Sequence, residues 1–96
     1  MYQTRLIDLS NYDEDDLVLK QIKGGALSIT ATGSPSVKVK GEHTPTGSYD
    51  LALINLKDFS KVTEITEEGM YIAPIAGCDK VNFEVSGSGE IYIKEM

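Results

Sequence analysis

The sequence predicts an all-β, single-domain antiparallel β-sandwich, jelly-roll-like, built from about nine short strands. Three observations predict this fold class. Apolar and polar residues alternate with a period of two along most of the chain, as they do in strands that bury one face. Clusters of Gly, Pro, Ser and Asp interrupt the alternation at the short intervals typical of sandwiches and barrels. With 96 residues, 41% of them hydrophobic, the chain can enclose one core.

The C-terminal region shows the alternation most clearly. Residues 81–85 and 91–93 each alternate apolar with polar side chains, and Gly-Ser-Gly at 87–89 separates them. The pattern predicts a β-hairpin, because glycine supplies the positive φ angles that tight hairpin turns need. The same reasoning predicts an earlier hairpin with strands at residues 27–31 and 37–39 and a turn at 33–35.

The N-terminal residues 1–16 are expected to hold a strand and an acidic loop. Residues 11–16 favour a solvated loop, because the four consecutive acidic side chains from Asp13 onward repel one another. A helix over residues 10–20, capped by Ser10 and Asp13, is the alternative. The remaining strands are expected at residues 2–9, 17–22, 49–56, 62–66 and 70–75.

Charge and composition exclude several classes of partner. A net charge of −6 opposes binding to a phosphate backbone, so no nucleic-acid partner is expected. No apolar run reaches the roughly 18 residues of a membrane span, and the N-terminus lacks the pattern of a secretory signal, so no membrane partner is expected. Cys78 is the only cysteine, which excludes an intrachain disulfide.

No catalytic, cofactor-binding or metal site is expected, and the chain is predicted not to be an enzyme. The acidic run beginning at Asp13 lacks the ligand spacing of a helix-loop-helix calcium loop. His43 is the only histidine, and Cys78 could join it as a metal ligand only if folding brought the two together. The region of Ser88 lacks the glycine of a nucleophile elbow. Asp79 beside Cys78 opposes a reactive thiolate.

Carboxylates and tyrosines supply two further candidate sites. Nothing in the sequence places two carboxylates in the buried cleft that general acid-base catalysis needs, so solvated outer faces explain them better. Carbohydrate-binding sandwiches usually present an aromatic platform, whereas this chain has no Trp and its Tyr71 and Tyr92 are expected as half-buried strand residues, so a carbohydrate site is the less favoured interpretation. The carboxylates considered are Glu64 with Glu67 and Glu68, and Glu84 with Glu90.

Six segments between residues 17 and 94 follow a recognisable order. They are ALSITATG at 26–33, SVKVKG at 36–41, YDL at 49–51, ITEEGMY at 65–71, IAG at 75–77 and VNFEVSGSGEIYIK at 81–94. In this order they resemble the small β-sandwich domains of tailed-bacteriophage virion proteins, such as head fibres and capsid decoration proteins. Residues 1–16 have no counterpart in that family, and the Trp that is frequent near the position of Tyr49 is replaced.

The resemblance implies a non-enzymatic structural or attachment component of a bacteriophage virion, that is, a head fibre, decoration or adhesion domain. Such a protein is assembled in the host cytoplasm and ends in the virion. Its partners would be other virion proteins and a host-surface glycan. A carbohydrate- or protein-binding sandwich of cellular origin is the alternative function.

The strands at residues 49–56 and 70–75 are apolar on both faces, whereas a two-layer sandwich needs one apolar face per strand. The second face could be covered by the N-terminal strand around Leu6, Ile7 and Leu9, or by a neighbouring subunit. We expect a neighbouring subunit and therefore a homo-oligomer, for which the virion resemblance favours a trimer. The candidate interface residues are Leu51, Leu53, Ile54, Leu56, Tyr71 and Ile72.

Overall fold

The computed structural model describes residues 4–20, 25–43, 47–75 and 77–95, which form eight strands in one antiparallel sheet. The predicted all-β, antiparallel fold is confirmed. A single 3₁₀ turn, Glu14–Leu17, lies between the first two strands. The strands are β1 Thr4–Asp8, β2 Val18–Lys20, β3 Ala26–His43, β4 Gly47–Asp50, β5 Leu53–Asn55, β6 Lys61–Val62, β7 Gly69–Pro74 and β8 Lys80–Glu95.

Two long strands, β3 and β8, organise the sheet. They pair antiparallel through sixteen consecutive residue pairs. The hairpins predicted within residues 27–39 and 81–93 are therefore wrong, because each predicted hairpin is one continuous strand. The glycines assigned to the two turns instead face each other across the ladder, with Gly33 opposite Gly89. Both strands bend at this level, which we call the crease.

The crease requires glycine for two reasons. Gly33, Gly87 and Gly89 adopt φ angles of 84°, 88° and 106°, in the left-handed region that side chains disfavour. The two backbones also approach closely, because a Cβ on Gly33 would lie 2.7 Å from the Cα of Gly89, and one on Gly89 would overlap the carbonyl oxygen of Thr32. A sharp bend is thus achieved without breaking the ladder.

The crease divides the sheet into two layers. The first layer contains β1, β7, β5 and β6 with residues 26–32 of β3 and 90–95 of β8. The second layer contains β2 and β4 with residues 36–43 of β3 and 80–86 of β8. The two layers of the predicted sandwich are therefore the two halves of one folded sheet.

On both sides of the crease the buried residues of β3 and β8 are odd-numbered, so the same face of the sheet lines the core in both layers. Phe83, Ile91 and Ile93 are buried as the alternation predicted, whereas Val85 is only half-buried. The buried side chains form one continuous cluster. Its members from β3 and β8 are Leu27, Ile29, Ala31, Val37, Val39, Val81, Phe83, Ile91 and Ile93.

The acidic segment forms one 3₁₀ turn with no buried residue, in place of the longer helix considered from the sequence. Asp13 caps the turn, and its Oδ1 accepts a hydrogen bond of 3.0 Å from the Asp15 N–H. The carbonyl oxygens of Asp16 and Val18 accept hydrogen bonds of 2.9 and 3.1 Å from Nη1 of Arg5. The acidic side chains stay in solvent while the backbone of this segment is tied to β1.

Several predicted strands are shorter than expected. Residues 49–56 are divided between β4 and β5, and residues 62–66 contain only the last residue of β6 and an isolated bridge from Ile65 to Val37. Parts of the strands predicted at residues 2–9 and 17–22 lie outside the described residues. In the described ranges no helix has the length and apolar character needed to cross a membrane.

Candidate functional site

The outer face of the second layer is charged and paired. The Lys40 Nζ lies 2.9 Å from Oε1 of Glu84 and 4.0 Å from Oδ1 of Asp50, and the Lys80 Nζ lies 3.8 Å from Oε2 of Glu42. The hydrogen bond and positive charge of Lys40 lower the pKa of the Glu84 carboxyl below its usual value. Exposed pairs of this kind add little stability, so this is an ordinary solvated surface.

The outer face of the first layer is apolar. Leu6, Tyr92, Thr30 and Met70 lie directly opposite one another on β1, β8, β3 and β7, and form a row across four strands. Leu6, Tyr92 and Met70 are 49%, 44% and 50% exposed, although all three are large apolar side chains. Single exposed apolar residues are common on protein surfaces, but a contiguous row marks a contact surface.

A second apolar pair enlarges this surface. Ile72 of β7 lies opposite Ile54 of β5, and both are half-buried on the same outer side of the sheet as Met70. We call Leu6, Tyr92, Met70, Ile72 and Ile54 the outer apolar face. Its side chains come from the four strands β1, β8, β7 and β5, and Thr30 and Ser28 of β3 lie between Tyr92 and the β7 residues.

Charged residues flank Tyr92 along β8. On β8, Glu90 and Lys94 stand two residues before and after Tyr92, and alternate residues of a strand point to the same side. On β1, Asp8 lies opposite Glu90, and Thr4 lies opposite Lys94. The neighbouring row on the Glu90 side therefore begins with two carboxylates. In the row on the other side, Lys94 stands among uncharged residues, which are Thr4, Ser28, Ile72 and Ile54.

The structure separates the predicted interface residues into two groups. Ile54 and Ile72 belong to the outer apolar face. Leu53 and Tyr71 are 0% and 2% exposed, so they fill the core of this chain and offer no side-chain surface to another subunit. Burial raises the pKa of Tyr71, whose hydroxyl donates a 3.0 Å hydrogen bond to the carbonyl of Glu67.

The other two predicted interface residues, Leu51 and Leu56, are half-buried and do not belong to the outer apolar face. Leu51 is half-buried and packs against the core, beside Gly41. Leu56 is half-buried after β5, and its N–H donates a 2.9 Å hydrogen bond to the carbonyl of Met70. The sequence analysis did not assign Met70 or Tyr92 to the interface. Both are large apolar residues next to residues expected to point inward, so the alternation of a strand would have placed their side chains on the outer surface.

The N-terminal strand does not cover the outer apolar face. In the described part of the chain, β1 pairs with β8 at the edge of the sheet and continues the first layer. Ile7 and Leu9 enter the core, and Leu6 adds its side chain to the exposed row. The alternative in which this segment hides the second apolar face is therefore wrong for these residues.

Folding brings together His43 and Cys78, which the sequence could not foresee. Sγ of Cys78 lies 3.5 Å from Nε2 of His43, and the His43 ring meets Tyr49 edge to face with centroids 6.2 Å apart. Burial, and secondarily the charge of Asp79, raises the pKa of the Cys78 thiol. A raised pKa disfavours the thiolate, which is the nucleophilic form of cysteine. Among the described residues no three His, Cys, Asp or Glu side chains are grouped to hold a metal ion.

Two of the carboxylates considered as catalytic candidates accept hydrogen bonds from residues at or next to the crease. Oε1 of Glu68 accepts a 2.8 Å hydrogen bond from the Gly33 N–H, and Oε1 of Glu64 accepts a 2.7 Å hydrogen bond from the Ser36 hydroxyl. These bonds fasten the segment before β7 to the bend of β3. The interactions that the structure shows for both carboxylates are structural.

The remaining residues considered for catalysis do not come together in one site. Glu84 and Glu90 lie on β8 on opposite sides of the crease, on the outer faces of different layers. Ser88 lies opposite Ser34 within the continuous β3–β8 ladder, so it does not occupy the strand-to-helix turn of a nucleophile elbow. The outer apolar face is therefore the candidate functional site.

Comparison with known proteins adds one structural relationship. No protein-family model and no curated protein sequence matches the chain. The crystal structure of the SPBc2 prophage-derived protein YomS is similar to this chain, with a TM-score of 0.65 over 98% of this chain and 91% of that one. The sequence identity is 19%, so the likeness shows a shared fold.

Proposed function

We propose that this chain is a non-enzymatic structural or attachment component of a bacteriophage virion. The fold that it shares with a prophage-derived protein, over nearly the whole of both chains, supports a phage-associated role. The resemblance of its six segments to virion sandwich domains supports a structural one. Its partners in this proposal are other virion proteins and further copies of itself.

The contrast between the two outer faces is the observation that carries the proposal. One face of the folded sheet bears paired lysines and carboxylates, as a solvated surface does. The other bears Leu6, Tyr92 and Met70 at about half exposure, on a sheet whose core is already filled from its inner side. A contiguous apolar surface of this kind gains free energy when a partner removes it from water.

The fold suits an assembly role. The outer apolar face lies on a sheet fixed by the long β3–β8 ladder, so its side chains are held in place before a partner binds. Preorganisation lowers the entropic cost of association. In this proposal the protein acts as a rigid block with one contact face and one solvated face.

Co-sedimentation with particles tests the proposed function. In a host strain that carries the gene, particles are purified on a density gradient and the protein is detected with an antibody. We expect the wild type and Lys38→Ala, a control on the charged face, to band with the particles, and Met70→Glu to remain in the soluble fraction. Wild-type protein found only in the soluble fraction would contradict the proposal. A sugar-competable signal on a glycan array, without particle association, would favour the carbohydrate-binding alternative.

A further inference from the structure

A cleft lies at one edge of β8, where β1 of the first layer and β2 of the second layer come close to each other. β1 and β2 pair with the same edge of β8 on opposite sides of the crease, because β3 occupies the other edge. Arg5 connects the two strands. It stands on β1, and its Nη1 donates hydrogen bonds of 2.9 and 3.1 Å to the carbonyl oxygens of Asp16 and Val18. These two bonds fix the position of the guanidinium.

Basic residues surround a cavity beside this guanidinium. The cavity has a volume of about 540 Å³, opens to solvent and is lined by Arg5, Val18, Lys20, Lys80 and Asp15. Three positive charges therefore face one carboxylate. The chain as a whole has a net charge of −6 and nine Lys and Arg residues, so a third of its basic side chains meet at this one place. A cleft that concentrates positive charge in this way attracts anions.

Two of the three cations lie directly opposite each other on neighbouring strands. Lys20 of β2 is the register partner of Lys80 of β8, and like charges at opposed positions disfavour strand pairing. Lys80 has a carboxylate of Glu42 3.8 Å away on its other side. Lys20 is exposed, and among the described residues the structure shows no acidic partner for it. A bound anion would relieve a repulsion that the carboxylates of the chain leave in place.

Arg5 restricts the kind of anion that fits. Its Nη1 donates to the two backbone carbonyls, which leaves Nε and Nη2 as a pair of parallel donors. This fork matches two oxygens of a phosphate or a carboxylate. A doubly charged phosphate gains more than a singly charged carboxylate from the two neighbouring lysines. A long phosphate backbone is opposed by the net charge of the chain, so a small anion fits best.

From this arrangement we infer that the cleft binds the phosphate group of a small anion, with two phosphate oxygens held by Arg5 and their charge balanced by Lys20 and Lys80. Asp15 reduces the attraction without cancelling it, since one negative charge faces three positive ones. The inference is independent of the proposed virion function, because it concerns a different surface and a different class of ligand.

Titration with inorganic phosphate and with phenyl phosphate tests the inference. Amide signals of the ¹⁵N-labelled full-length chain are followed by NMR at about pH 8, where phosphate is doubly charged. Phosphate replaces chloride at constant ionic strength, so that general screening does not change. We expect saturable shifts confined to β2 and the adjacent parts of β1 and β8, with a dissociation constant of about 1 mM for inorganic phosphate. Tighter binding of phenyl phosphate would identify an ester as the ligand, and equal or weaker binding the free ion; both support a phosphate site.

Variants of Lys20 separate binding from stability. Lys20→Ala should weaken phosphate binding by about tenfold, and Lys20→Arg, which retains the charge, should bind within about threefold of the wild type. Lys20→Ala removes one of two opposed charges, so it should not lower the urea midpoint of the ligand-free protein. Lys61→Ala is the matched control, because Lys61 is an exposed lysine on β6 at the far end of the sheet, and it should leave binding unchanged.

Phosphate should also raise the urea midpoint of the wild type, because a ligand that binds the folded state stabilises it. The rise should be much smaller in Lys20→Ala and unchanged in Lys61→Ala. Three results would overturn the inference: no saturable shift up to about 50 mM phosphate, acetate bound as tightly as phosphate, or unchanged phosphate binding in Lys20→Ala.

Discussion

At the scale of single residues, the two phenylalanines of the chain illustrate how position decides what a side chain contributes. Phe83 is 3% exposed in the core, at an inward position of β8. Phe59 is 77% exposed after β5, where its φ is 60° and its N–H donates a 2.7 Å hydrogen bond to the carbonyl of Asn55. The alternation around Phe83 made its burial predictable, whereas no periodic pattern surrounds Phe59.

This difference predicts unequal effects of the same substitution. Phe83→Ala should lower the free energy of unfolding by about 3 to 5 kcal/mol, because it removes buried apolar surface and leaves a cavity. Phe59→Ala should change it by no more than about 0.5 kcal/mol, because little surface is lost from the core. Urea denaturation of both variants measures the difference. A Phe83→Ala protein that melts within a degree or two of the wild type would show that this side chain is not a core residue.

At the scale of elements, the crease shows where local sequence stops being informative. Gly87 and Gly89 have the positive φ angles that the sequence analysis assigned to a hairpin turn. In the structure these angles bend one continuous strand and do not reverse the chain. A turn and a bend require the same glycine chemistry, so the residues themselves cannot distinguish the two. The choice is made by the partner strand, which supplies Gly33 directly opposite Gly89 and keeps the ladder continuous.

The crease predicts that Gly89 is far less replaceable than a glycine outside it. Gly89→Ala should lower the free energy of unfolding by about 2 to 4 kcal/mol, because of its φ of 106° and the overlap of the new Cβ with the Thr32 carbonyl. Gly25→Ala is the matched control, since nothing lies within 4 Å of its added Cβ. Its unfolding free energy should change by less than about 1 kcal/mol. Equal urea midpoints for the two variants would mean that the strands do not bend at this position.

At the scale of the whole molecule, the two layers cannot be separated. Both contain half of β3 and half of β8, and both contribute side chains to one core cluster. β8 pairs with β1, β2 and β3, so strands from the beginning of the chain depend on its end. Unfolding of either layer would therefore expose the core side chains of the other layer to solvent.

This dependence predicts a single cooperative unfolding transition. Cys78 is buried in a loop beside the second layer and reports local opening there through its reaction with a thiol reagent. Circular dichroism reports the strands of both layers together. We expect the two probes to give the same urea midpoint, as two-state unfolding requires. Cys78 becoming reactive at a clearly lower urea concentration would show that the second layer opens independently.

Local patterns in the chain were enough to predict the all-β class, the inward positions of β3 and β8 and the exposure of the acidic run, because the alternation of a strand and the repulsion of neighbouring carboxylates are local properties. Such patterns did not determine that Gly33 and Gly89 form a crease or that His43 meets Cys78, because those pairs join residues far apart in the chain. The sequence also showed a surplus of apolar residues in the strands near Ile54 and Ile72. The order of the strands, which depends on pairing between distant parts of the chain, places β1 at the edge of the sheet and leaves Leu6, Tyr92 and Met70 exposed on one outer side.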